Sequence, residues 1–167
     1  MVEVKVESVR VNLVGAHRVV VLKEVNSERY LPIWIGQAEA ESITLRLTNT
    51  RVPRPLTHDL IVDAIRALGA TVRYVLVNDL RDETFYARII LRTQEGKELS
   101  IDARPSDAIA IAVRVECPIY VDDDVMAQHS HQPEGESSEE KLEQEEEDLG
   151  AFKDFLNTLD LDDLDKK

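Results

Sequence analysis

The chain has 167 residues, a formal net charge of −13 and a single cysteine. That length suits one domain with a real core and leaves no room for a second full domain. One cysteine excludes a disulfide framework and a zinc site built on thiolates. No stretch of about 18 apolar residues could span a bilayer. The opening MVEVKVESVRV alternates apolar and charged residues where a signal peptide would be continuously apolar, so the chain reads as cytoplasmic.

The acidity is unevenly placed. Residues 1–125 hold 16 Lys/Arg against 19 Asp/Glu, and residues 126–167 hold 4 against 14. The tail therefore carries most of the charge, and whole-chain pI says little about what the body binds. The body itself is not basic enough to predict tight nucleic-acid binding from charge alone.

In chain order, Val2, Val4, Val6, Val9, Val11 and Leu13 alternate with a slip near Ser8 and predict a long first strand. Arg18–Val25 is its hairpin partner across Gly15 and Ala16, and Arg29–Ile35 is a third strand. Gly36 ends that strand, and Gln37–Leu47 has helical spacing. A second helix is expected over Leu60–Leu68, with Thr57 as N-cap and Gly69 as the C-terminal stop. Val72–Leu80, Thr84–Thr93 and Glu98–Ala103 are three more strands. Pro105 opens a helix to about Val115 that is apolar nearly all round, hence buried on several sides. Pro118–Val121 is a short closing strand. The fold class is α+β: a mixed, mainly antiparallel sheet with helices, in which a βββα unit recurs.

The body is expected to end at residue 125. Residues 126–148, rich in Glu, Ser and Gln, form an acidic disordered linker. Residues 149–167 place Leu149, Phe152, Phe155, Leu156 and Leu159 on one face of a short amphipathic helix that needs a surface to dock on, in this body, a sister subunit or a protein partner.

Five blocks carry a specific likeness: LPIWIGQAEAESI (Leu31–Ile43), RPLTHDL (Arg54–Leu60), DETFYAR (Asp82–Arg88), IDARPSDAIAIAVR (Ile101–Arg114) and PIYVDDDV (Pro118–Val125). In this order they resemble the bifunctional nuclease (BFN) family across essentially all of residues 1–125. The resemblance implies a nuclease acting on RNA and DNA with little sequence preference. It brings no settled catalytic mechanism.

Phosphodiester hydrolysis needs an activated water, charge stabilisation at the phosphoryl oxygens and help for the leaving oxygen. In RPLTHDL, His58 is a candidate acid/base, Asp59 a candidate catalytic carboxylate and Arg54 a phosphate contact. The competing explanation is a capped helix whose first-turn Asp59 complements the helix dipole. In IDARPSDAIA, Asp102 and Asp107 straddle Arg104. Together they form a candidate site for a divalent cation, Mg2+ or Mn2+, with Arg104 on the phosphate. Here too Asp107 is explained as a helix-start residue and Arg104 as its ion-pair partner. Glu39 and Glu41 occupy the equivalent place in the first half, and a structural role suits them better because residues two apart on a helix diverge. Asp82 and Glu83 fit an exposed strand turn. Trp34, Phe85 and Tyr86 can stack on bases, although aromatics at strand positions are expected in the core. His129 and His131 fall in the linker and make a weak metal pair at most. Cys117, in RVECPIYV, reads as a buried structural thiol.

Three functions compete: a metal-assisted, sequence-tolerant nuclease; a non-enzymatic oligomeric scaffold; and an anion or nucleotide sensor using the helix starts at Thr57 and Pro105. Val/Ile-rich segments and exposed strand edges further predict a homodimer.

Overall fold

Alternation in the sequence becomes one mixed sheet. The computed structural model describes residues 1–11 and 18–132. Strand β1 (Val2–Val11) pairs antiparallel with β2 (Arg18–Glu24), and a bulge between Val6 and Ser8 accounts for the slip in the sequence pattern. β3 (Tyr30–Ile35) extends that sheet, and helix α1 (Gln37–Leu47) follows. After α2 (Thr57–Ala67) the order recurs as β4 (Thr71–Arg81), β5 (Thr84–Arg92), β6 (Glu98–Ala103) and α3 (Pro105–Val115). Then β7 (Ile119–Val121) and a short α4 (Asp123–His129) close the described chain.

The strand order is β3-β2-β1-β7-β4-β5-β6. β7, expected only as a closing strand, sits at the centre. It is antiparallel to β1 and parallel to β4, and thus joins two three-stranded meanders. The two βββα units correspond closely. Leu31 and Ile33 in β3 match Leu99 and Ile101 in β6. Ala40, Ile43 and Arg46 in α1 match Ala108, Ile111 and Arg114 in α3. All four of these helical Ala and Ile residues are buried.

Helix α3 is the centre of the core. Ala108, Ile109 and Ala110 are fully buried, and Ile111 and Ala112 nearly so. They pack with Val20, Leu22, Ile43, Val75 and Val77 in one cluster that also takes in α1, α2 and the sheet. Pro105 at the first turn suits its fixed φ, and Glu116 at φ 57° ends the helix in the left-handed region.

Two boundaries differ from the sequence reading. α2 begins at Thr57, not Leu60, with Leu56 as the N-cap residue. Pro53 and Pro55 hold the preceding chain extended, and the Asp59 carboxylate accepts from the Leu56 N–H at 2.8 Å, closing the helix start without a hydroxyl cap. The stop at Gly69 is as expected, with φ 75°. The ordered body runs past Val125. Met126 is fully buried, the His129 ring meets Phe85 edge-on at 6.3 Å, and His131 exchanges backbone hydrogen bonds with Tyr30. His129 and His131 thus belong to the body, where apolar packing of Val125 and Met126 holds α4. The turn at Gly15 and Ala16, most of the acidic linker and the predicted helix over 149–167 lie outside the described residues.

Aromatic placement also differs. Phe85 is half-buried against the core, but Tyr86 is 39% and Trp34 63% exposed. Their alternation puts them on strand positions pointing away from the cluster that Ile33 and Ala87 enter. Asp82 and Glu83 have φ 46° and 59° in the two-residue β4–β5 turn, fully solvated as expected.

Because Ile109 has no exposure, Ile109→Ala is expected to lower unfolding free energy by about 2–5 kcal/mol in urea titrations. A change within about 0.5 kcal/mol, as at exposed positions, would remove α3 from the core.

Candidate functional site

The one polar face of α3 builds the site. Asp107 and Arg114 are seven residues apart, which on a helix is two turns and one stripe. That stripe meets Ser42 of α1 and His58 of α2. Arg114 donates from Nε to Asp59 at 2.6 Å, from Nη2 to Ser42 Oγ at 2.8 Å, and from Nη1 to the Ala110 carbonyl at 2.8 Å. Ser42 Oγ lies 2.8 Å from His58 Nδ1, and His58 Nε2 lies 3.0 Å from Asp107 Oδ1. Asp107 in turn accepts from Arg104 Nε at 2.7 Å and Nη2 at 3.1 Å, and Arg104 Nη2 also reaches Glu39 at 2.6 Å. One continuous network therefore runs Asp59–Arg114–Ser42–His58–Asp107–Arg104–Glu39.

Arg114 can only donate, so Ser42 Oγ accepts from it, and an ionised Asp107 can only accept, so His58 Nε2 donates to it. Ser42, His58 and Asp107 have the connectivity of a hydroxyl–imidazole–carboxylate relay with the ring reversed. Two observations make it a lock. Ser42 and His58 are 5% and 6% exposed, and Arg114 draws electron density from the same hydroxyl oxygen that a nucleophile would use.

Arg104 is the exposed member of the network. Its side chain is 66% exposed, while its carboxylate partners Glu39 and Asp107 are 15% and 28% exposed. It is the N-cap residue of α3, and Glu39 and Asp107 each stand third in their helices, at matching positions of the two repeats. The guanidinium is thus clamped between the acidic first turns of α1 and α3, with its Nη1 amino group taking part in none of these bonds. A cleft of about 700 Å³ opens beside it, lined by His58, Asp102, Asp107 and Arg104 and floored by Ile61, Ile65, Ile89 and Ile101.

The other candidates are distributed unevenly. Asp59 is not in this cleft constellation, since one oxygen takes Arg114 and the other the Leu56 N–H. Adjacent on α2, His58 and Asp59 face different partners. Arg54 is exposed and has no side-chain hydrogen bond or ion pair among the described residues. Asp102 lines the cleft but shares the sheet face of its register partner Arg88, opposite to Ile101 and Ala103. It is therefore not tied to Asp107, both of whose oxygens are engaged. Among the described residues no three His, Cys, Asp or Glu side chains gather to hold a metal ion. The helix starts named for an anion sensor already carry Asp59 and Asp107. Glu41 accepts from Gln37 at 2.9 Å. Ser42 and Arg114 were not singled out in the sequence. The available signal was a charged pair at i and i+7 on a helix that is apolar between them.

Electrostatics follow the geometry. Burial pushes the Asp107 carboxyl upward most strongly of any single influence, but hydrogen bonds from Arg104 and His58 outweigh it and hold it below the usual carboxylate range. For Asp59, burial again acts upward, and the Leu56 N–H and Arg114 bring it below its ordinary value. Burial pushes the Cys117 thiol up to about 11, consistent with an inert structural role.

Both carboxyls have lowered folded values. Their stabilisation is therefore complete above the unfolded carboxylate value of about 3.9 and lost as pH falls through the folded values. Urea midpoints measured from about pH 5 down to about pH 2 are expected to fall less steeply in Asp59→Asn/Asp107→Asn than in the parent chain. Equal slopes would show that neither carboxyl is stabilised by the network.

The profile of the bifunctional nuclease domain matches residues 20–134. An uncharacterized protein of Mycobacterium tuberculosis is 45% identical over 165 residues, covering 98% of both chains. Bifunctional nuclease 1 of Oryza sativa subsp. indica is 33% identical, and bifunctional nuclease 2 of Arabidopsis thaliana 34% identical, each over 108 residues. Those plant matches cover 63% of this chain and 33% of the plant proteins. The chain belongs to the bifunctional nuclease domain family.

Proposed function

We propose that the protein is a sequence-tolerant nuclease that hydrolyses RNA and DNA phosphodiester bonds at the cleft beside Arg104. The observation carrying this reading is the clamped, exposed guanidinium with its Nη1 edge turned from its own carboxylates, at the wall of a cleft large enough for a nucleotide. A guanidinium held in advance stabilises charge on phosphoryl oxygens without reorganising during the reaction. Asp107 and, behind it, His58 are positioning residues that fix Arg104. Asp102 lines the rim of the cleft from the sheet face opposite to Ile101 and has no side-chain hydrogen bond among the described residues; we assign it the activation of water, which it would reach around the β6 edge. The donor set does not provide an all-protein cage for a cation. Mg2+ or Mn2+ therefore enters this reading as an ion recruited with the phosphate, which would supply charge neutralisation when bound, with Asp102 as its protein ligand. Arg54, just ahead of α2, is an outlying phosphate contact. Catalysis in the cytoplasm fits the absence, among the described residues, of any helix long and apolar enough to cross a membrane.

The test is cleavage of labelled single-stranded RNA and DNA with Mg2+ or Mn2+ and with chelator. Arg104→Ala is expected to lower kcat/KM by on the order of 10²–10³ with the fold intact, and Asp102→Ala to abolish metal-dependent turnover. No cleavage by the parent chain under any of these conditions rejects the nuclease reading. Cleavage indifferent to chelator rejects its metal component.

A second reading, an oligomeric scaffold, is favoured by a separate observation. β6 is an edge strand exposed over nearly its whole length, with Leu99 39% and Ile101 44% exposed. Nearby α2 shows Leu60 at 63%, and Leu68 just after it is 86% exposed. A homodimer covering this apolar edge would remove the liability. Multi-angle light scattering is expected to give a dimer for the parent chain and a monomer for Leu99→Lys/Leu60→Glu. A parent monomer at micromolar concentration ends this reading.

A further inference from the structure

We propose that a cleft beside the α1–α2 connector is a binding site for a phosphate group, separate from the cleft beside Arg104 and independent of the nuclease reading. It follows from how α1 ends. Asn49 takes a left-handed φ of 52° just after the helix, its N–H donates to the Arg46 carbonyl at 3.1 Å, and the Thr50 N–H donates to the Leu45 carbonyl at 2.9 Å. This paired closure reverses the chain, and asparagine is the residue after glycine that best tolerates the conformation. Arg51 is thereby carried back toward the last turn of α1, and Pro53 and Pro55 keep the chain extended up to α2.

The result is a cleft of about 400 Å³ whose polar lining comes from three elements: Arg46 of α1, Asn49, Thr50 and Arg51 of the connector, and Arg114 of α3. Asp59 is the one carboxylate among its lining residues, and its two oxygens are taken by Arg114 and the Leu56 N–H. Three guanidinium groups thus stand against one carboxylate. The cleft beside Arg104 has the opposite balance, one guanidinium against Glu39, Glu41, Asp102 and Asp107. A phosphate there needs a cation to accompany it, whereas the charge here is already supplied by the chain.

The three arginines divide the work. Arg114 uses Nε on Asp59, Nη1 on the Ala110 carbonyl and Nη2 on Ser42, and its side chain is 6% exposed, so it contributes positive charge from the floor. Donors for a ligand come from the rim. Arg51 and Asn49 are exposed, and neither side chain has a hydrogen bond or ion pair among the described residues. Arg46 gives Nε to the Val113 carbonyl and Nη2 to Glu116, which leaves Nη1, and its pair with the well-exposed Glu116 is screened by solvent. A carboxylate presents its acceptors in one plane. Donors reaching from a helix end and from a reversed connector suit a tetrahedral oxyanion better. Leu45, Val52 and Leu56 add an apolar wall, and the volume leaves room for the organic part of a phosphate ester.

The test is calorimetric titration of the full chain with inorganic phosphate and with adenosine monophosphate, in chelator and at fixed ionic strength, with adenosine as the uncharged control. Saturable binding of both phosphates and none of adenosine is expected. Arg51→Ala is expected to weaken both about ten-fold, Arg51→Lys to weaken them less, and Arg104→Ala to leave them unchanged. Arg51 is exposed, so the melting temperature of its variants without ligand is expected to match the parent. Tighter binding of adenosine monophosphate than of inorganic phosphate makes the ligand an ester, equal or weaker binding makes it the free ion, and either upholds the site. Binding lost in Arg104→Ala, or unchanged in Arg51→Ala, places the anion elsewhere and overturns the proposal. No binding of either phosphate at millimolar concentration overturns it, as does adenosine binding as tightly as its monophosphate. No cleavage is measured, so a chain inactive on RNA and DNA removes the nuclease reading and leaves this site standing or falling on the titration.

Discussion

Everything in this body depends on burying α3. Its apolar faces fill the space between α1, α2 and the sheet, and the two charged residues on its one charged stripe must be satisfied internally. Asp107 and Arg114 solve this by recruiting His58 and Ser42 from the two flanking helices. The three helices are thereby fixed in register as well as packed together. Hydrophobic burial alone tolerates small slides between helices, whereas a chain of directed hydrogen bonds does not. Removing one member leaves the next as an unpaired buried polar group, which costs more than the bond itself contributes.

The same lock explains why the exposed end of the network is usable. Arg104 carries its charge between Glu39 and Asp107 and cannot collapse onto either one alone. Holding a long, flexible side chain in advance removes the conformational entropy that binding would otherwise cost. The clamp also arises naturally from the repeat. Third-position acids at the start of α1 and α3 suit helix N-termini individually, and only the pairing of two such helices places both around one guanidinium. β7, inserted between β1 and β4, is what brings the units together, so the site depends on a strand of three residues.

Much of this fold was legible in the sequence. The strands alternate with period two, the helices have their spacing and stops, and the repeat of βββα shows in the order of elements. The central place of β7 was not legible, because pairing partners of a short apolar strand are chosen by tertiary packing and not by its own pattern. The start of α2 was misplaced because Asp59 replaces the expected hydroxyl cap. At the site, the pairing of Arg104 with Asp107 could be read from adjacency. Ser42 could not, since a serine inside a helix gives no sign of its partner, and neither could the exposure of Trp34, since strand propensity favours an aromatic whether its face is covered or open.

Charge limits how such a site could hold a polyanion. The body of residues 1–125 carries 16 basic against 19 acidic side chains, so no long-range field draws a polyanion toward it. Arg104 is itself largely neutralised by its two carboxylates. A protein that engages few phosphates releases few counterions, and its affinity then varies little with salt. What remains to supply affinity for an anion is short-ranged and directed: the Nη1 edge that takes no part in the carboxylate clamp.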